Sequence, residues 1–116
     1  MSDETIIWHN PRCSKSRAAL KLLEAHGITP KVRRYLDEPP DEEEIRKVLA
    51  RLGKRLIEIM RTKEQLFREL GLAQDSDDET LIRAMVAHPK LIERPIVIRG
   101  DRAVLGRPPE KVLEIL

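Results

Sequence analysis

A chain of 116 residues holds one domain's worth of core, and with a single Trp, Tyr and Phe that core must be aliphatic. The net charge of +2 arises from interspersed Lys, Arg, Asp and Glu without a long basic tract, a pattern that does not suggest nucleic-acid binding driven by phosphate neutralisation. One cysteine excludes an intrachain disulfide and a cysteine-rich zinc site, the three histidines lack metal-ligand spacing, and no apolar run approaches membrane-spanning length.

Thr5-Ile6-Ile7-Trp8 is a short β-prone run that ends in the loop signal His9-Asn10-Pro11. Ser14 to His26 follows with helical spacing, Ala19, Leu20 and Leu23 forming the apolar stripe and Gly27 the C-terminal stop. Lys31 to Leu36 is a weaker strand. The acidic run Asp37 to Glu44 contains two prolines and reads as a solvated helix start. Asp41 and Glu44 have the spacing of a capping box, and Ile45, Val48, Leu49 and Leu52 fall on one helical face before Gly53 ends it. Leu56 to Met60 and Lys63 to Leu70 are two short helical pieces closed by Gly71. Ser76 and Glu79 suggest another capping box ahead of Leu81, Ile82, Met85 and Val86, with Pro89 as the stop. Pro95 to Ile98 and Ala103 to Leu105 are strands joined by Gly100-Asp101, a hairpin loop with glycine first. Pro108-Pro109 lead into a last helix with Val112, Leu113, Ile115 and Leu116 apolar.

The order β-α-β, helices, β-β-α predicts an α/β fold with a mixed sheet and an antiparallel edge. No repeat or linker divides the chain, so a single domain over residues 1–116 is expected, with a helical insertion over about 41–88. The N-terminus shows no basic segment followed by an apolar stretch. The expected setting is therefore the cytoplasm, where a lone thiol stays reduced.

Cys13 carries the chemistry. It sits between strand and helix in His9-Asn10-Pro11-Arg12-Cys13-Ser14-Lys15-Ser16-Arg17. The first N–H groups of a helix lack intrahelical partners and, with the helix dipole, put positive potential on such a position. Arg12, Lys15 and Arg17 add cations, a protonated His9 would add another, and Ser14 or Ser16 offers a hydroxyl to the sulfur. All favour the thiolate, which is the nucleophile. An inert cysteine would sit in apolar surroundings, and these flanks are polar and cationic. By contrast, His26 and His88 read as ordinary helix-end residues. Arg17 comes four positions after Cys13, too close for the cysteine phosphatase loop, which has five residues between Cys and Arg, and Ser16 stands where a dithiol oxidoreductase has its second cysteine. A lone thiol completes a two-electron reduction only with an outside thiol.

His9-Asn10-Pro11-x-Cys13-x-x-Ser16-Arg17 after a strand resembles the glutaredoxin-coupled arsenate reductase family. The likeness extends over nearly the whole chain through Tyr35-Leu36, Met60-Arg61, Gly71-Leu72-Ala73, His88-Pro89, Glu93-Arg94-Pro95-Ile96-Val97 and Gly106-Arg107-Pro108. Reductases of the best-studied type carry Gly-Thr where this chain has Ser14-Lys15, so the resemblance is to a subgroup with His-Asn-Pro-Arg-Cys-Ser-Lys-Ser. It implies a thioredoxin-like fold with a helical insertion and Cys13 as the nucleophile attacking arsenate. It further implies Arg61, Arg94 and Arg107 as oxyanion ligands, Pro95 as a cis-proline facing the cysteine, and His9, Ser16 and Arg17 in support. Glutathione would be co-substrate and glutaredoxin partner, with no bound metal or organic cofactor, no nucleic acid and no membrane. Two other functions fit the same residues: a monothiol oxidoreductase acting on glutathionylated proteins, and a redox regulator that binds RNA polymerase.

Overall fold

The computed structural model describes residues 4–116. The chain divides into two compact units, one made of the residues through Glu38 together with Arg94–Leu116, the other of Pro39–Glu93.

The first unit is a four-stranded sheet in the order β2-β1-β3-β4, with β1 at Thr5–Trp8, β2 at Lys31–Arg33, β3 at Ile96–Arg99 and β4 at Arg102–Leu105. β2 runs parallel to β1, while β3 and β4 extend the sheet antiparallel. The β1–β2 crossover is helix α1, Ser14–Ala25, as a parallel connection requires. Ile7, Val97 and Val104 lie opposite one another across three strands. Their face packs with Ala19 and Leu23 of α1 and with Val112 and Ile115 of the C-terminal helical stretch Pro109–Ile115. That stretch is a 3₁₀ rather than an α-helix. β2 is shorter than the sequence suggests because the chain turns at Arg34, whose carbonyl accepts from the N–H groups of Asp37 and Glu38. Gly100 takes φ 59° and Asp101 a negative φ, in keeping with the glycine-first hairpin.

The second unit is helical: α2 at Glu42–Leu52, a 3₁₀ turn at Leu56–Ile59, α3 at Gln65–Glu69, α4 at Asp78–Ala87 and a 3₁₀ turn at Pro89–Leu91. The capping box of α2 forms as expected, Asp41 Oδ1 accepting from Glu44 N–H at 2.8 Å and Glu44 Oε1 from Asp41 N–H at 3.3 Å. The cap of α4 is Asp77, not Ser76. Asp77 accepts from Thr80 N–H at 2.8 Å, and Ser76 Oγ closes the preceding turn by accepting from Ala73 N–H at 2.9 Å. Ile45 and Val48 of α2 and Leu81, Ile82 and Met85 of α4 are buried, and Arg46 joins the two helices through Glu79 at 2.7 Å.

Candidate active site

The loop leaving β1 is built around Asn10. Its carbonyl accepts from Cys13 N–H at 3.0 Å, its Oδ1 from Arg12 N–H at 3.0 Å, and its own N–H donates to Ser16 Oγ at 3.1 Å. The short side chain thus closes a turn on its own backbone, the usual role of asparagine before a tight loop. Sequence reading identifies Asn10 only as a loop signal, because an Asn-Pro pair does not reveal which groups it will tie down.

His9 extends the β1–β2 ladder by donating its N–H to the Arg33 carbonyl at 2.8 Å, and its side chain is only 6% exposed. The Ser16 hydroxyl, fully buried, lies 2.6 Å from His9 Nδ1. Burial, followed by the charges of Arg34 and Arg17, lowers the His9 pKa below the ordinary imidazole value. The ring is therefore neutral at pH 7 and adds no positive charge to the loop. We assign Nδ1 as the acceptor, so that Ser16 donates to His9 while accepting from Asn10. Of the two hydroxyls that the sequence offers to the sulfur, those of Ser14 and Ser16, the Ser16 hydroxyl faces His9 instead, and Ser16 acts on the sulfur through its backbone N–H.

Cys13 is the N-cap of α1, in extended backbone geometry (φ −94°, ψ 122°), and its carbonyl accepts the first helical bond from Arg17 N–H at 3.0 Å. The thiol is partly exposed. Desolvation is the largest single influence on it and raises its pKa. Against that act the N–H of Ser16, the charge of Arg94, the N–H of Lys15 and a hydrogen bond from the Arg94 side chain, and the net result is a lowered pKa. The positive potential thus comes from the helix N-terminus, as expected, and from Arg94, which is distant in sequence. Lys15 acts through its backbone, and the Arg17 guanidinium donates to the Pro11 carbonyl at 2.8 Å, bracing the loop from outside.

Arg94 is held by its neighbours. The Arg94–Pro95 peptide is cis, as is Arg107–Pro108. Gly106 N–H donates to the Pro95 carbonyl at 2.8 Å. A Cβ on Gly106 would lie 2.8 Å from both Pro95 Cγ and Val112 Cγ1, so only glycine lets these segments meet. Arg107 Nη1 donates to the Arg94 carbonyl at 3.2 Å. Arg94, Pro95 and Arg107 therefore form one connected group. Arg61 belongs to the helical unit. Its N–H donates to the Leu91 carbonyl beside the bridge between Met60 and Ile92. Its guanidinium lies 3.1 Å from Glu64, which Lys90 also approaches at 3.2 Å. Among the described residues no group of three or more His, Cys, Asp or Glu could hold a metal ion, and no helix is long and apolar enough to cross a membrane.

A thioredoxin-like sheet with an activated lone cysteine capping its first helix defines a thiol oxidoreductase. Residues 8–115 match the model of the ArsC family, and the chain belongs to that family. A Neisseria meningitidis arsenate reductase is 48% identical, the match covering 97% of this chain and 98% of the relative. The uncharacterised Escherichia coli protein YfgD is 51% identical over 100% of this chain and 99% of its own length. The solved structure of an arsenate reductase from Vibrio cholerae superposes with a TM-score of 0.95 at 48% identity, covering 100% of both chains.

Proposed function

We propose that this protein reduces arsenate to arsenite with electrons from thiols, using Cys13 as the nucleophile. The observation that carries the reading is the thiol at the head of α1, held below its ordinary pKa with the Arg94 guanidinium as its cation and Arg107 hydrogen-bonded to the same segment. Arginine suits an oxyanion because its planar fork meets two oxygens and stays charged. Arg94 and Arg107 neutralise the arsenate oxygens, and Arg61 serves as the third ligand.

In the first step the Cys13 thiolate forms a bond to arsenic(V), and one arsenate oxygen leaves, protonated, as water. The arginines stabilise the charge of the adduct as preorganised donors. A glutathione thiolate then attacks the Cys13 sulfur. The S–As bonding pair passes to arsenic, which falls from +5 to +3 and leaves as arsenite, while the two sulfurs form a mixed disulfide. Glutaredoxin attacks the glutathione sulfur of that disulfide and releases the Cys13 thiolate. In this scheme glutathione is co-substrate, no resident cofactor takes part, and the setting is the reducing cytoplasm.

The test is turnover of purified protein with arsenate, glutathione and glutaredoxin. Arsenite should form with the wild type and not with Cys13→Ser. Equal rates for the two proteins would refute the proposal.

A further inference from the structure

The oxyanion scheme leaves one feature of the sheet unit unused. Beside the cysteine loop is a cavity of about 230 Å³, walled by His9, Pro11 and Arg12 on one side and by Arg34, Leu36 and Asp37 on the other. It lies where the loop after β1 meets the turn after β2, and both walls are fixed. The Asn10 and Ser16 bonds hold the first, and the Arg34 carbonyl turn holds the second. Its charge pattern is specific: two guanidinium groups, one carboxylate, a buried neutral imidazole, and the apolar surface of Pro11 and of Leu36, which is 42% exposed. Asp37 and Arg34 pair with each other at 3.5 Å. An exposed pair of that kind is worth little and exchanges partners readily.

We propose that this groove holds the co-substrate thiol peptide. The proposal rests on the thiol-dependent reading above and deepens it. The chemistry recognised is a short peptide thiol with two carboxylates and one ammonium group, which glutathione has. Arg12 and Arg34 match the carboxylates, Asp37 the ammonium, and Pro11 with Leu36 the aliphatic stem. The cavity is smaller than pockets that enclose a drug-sized ligand, so it grips part of the peptide and leaves the sulfur end outside. Arg12, in the wall of the groove, directly precedes Cys13 in the chain, so groove and nucleophile share one loop.

The experiment uses S-methylglutathione, which cannot form a disulfide, titrated into the Cys13→Ser protein and followed by backbone amide chemical shifts. Expected are shifts confined to residues 9–12 and 34–37, and a Kd weakened about tenfold by Arg34→Ala or Arg12→Ala, the size of one lost charge-assisted contact. In turnover the same two variants should raise the KM for glutathione about tenfold and leave the KM for arsenate unchanged. The proposal is overturned by shifts centred on Arg94 and Arg107, by no shifts at all, or by variants that alter the KM for glutaredoxin instead of glutathione. Binding at the groove without arsenate turnover would uphold the site and refute the substrate, which separates the two readings.

Discussion

At Cys13 two opposing effects decide the outcome. Partial burial disfavours the thiolate, yet two helix N–H groups and one guanidinium outweigh it. Because Arg94 supplies a full positive charge to that balance, Arg94→Gln should raise the thiol pKa. Its alkylation by iodoacetamide should then inflect at higher pH than in the wild type, with a slower rate at pH 7, where the thiolate fraction falls. An unmoved inflection would show that the helix terminus suffices alone. His9 gives a second pH dependence with a definite sign. Its folded pKa lies below the unfolded value of about 6.5. Between the two values the unfolded chain binds more protons, so stability is complete above that window and is lost as pH falls through the folded value. Urea midpoints measured from pH 8 to pH 5 should therefore fall more steeply for the wild type than for His9→Asn, which has no imidazole to charge. Parallel curves would mean that the Ser16–His9 contact tolerates a protonated ring.

Among the elements, the junction between the segment before β3 and the one after β4 depends on an absent side chain. Pro95 and Val112 approach Gly106 so closely that a methyl group would stand 2.8 Å from each. Neither can swing away, since Val112 is fully buried and the Pro95 carbonyl is bonded to Gly106 itself. Gly106→Ala should therefore cost about 1–3 kcal/mol, the usual penalty for overpacking, measured by chemical denaturation. It should also displace the Pro95 segment that carries Arg94, so its Cys13 alkylation profile should shift to higher pH, as for Arg94→Gln. Loss of stability without that shift would show that Arg94 is positioned independently of Gly106. The sequence shows this glycine only as punctuation before a proline pair, because close approach between segments far apart in the chain leaves no local pattern.

At the scale of the whole molecule, what was legible followed from short-range physics. Apolar periodicity located α1, α2 and α4, the Asp41–Glu44 spacing located a cap, and the strand–helix junction singled out Cys13. Contacts between distant segments were less legible. Nothing local marks Arg94 as the thiol's cation or directs the Ser16 hydroxyl to His9, and Arg34 and Asp37 resemble any surface pair until the turn after β2 places them beside Arg12. The resemblance to reductases supplied Arg61, Arg94 and Arg107 together, yet the structure gives them different local settings. Arg94 and Arg107 are on two segments of the sheet unit joined by a hydrogen bond, whereas Arg61 is paired with Glu64 in the helical unit. That difference yields a discriminating prediction. If the thiol is activated within the sheet unit alone, Arg61→Ala leaves the Cys13 alkylation profile without arsenate unchanged. If Arg61 is nonetheless an oxyanion ligand, the same variant loses about 100-fold in kcat/KM for arsenate, the scale of one lost charge-stabilising donor. Arsenate should then no longer protect Cys13 from alkylation at concentrations that protect the wild type. A variant that keeps full arsenate turnover would remove Arg61 from the mechanism and leave oxyanion binding to Arg94 and Arg107.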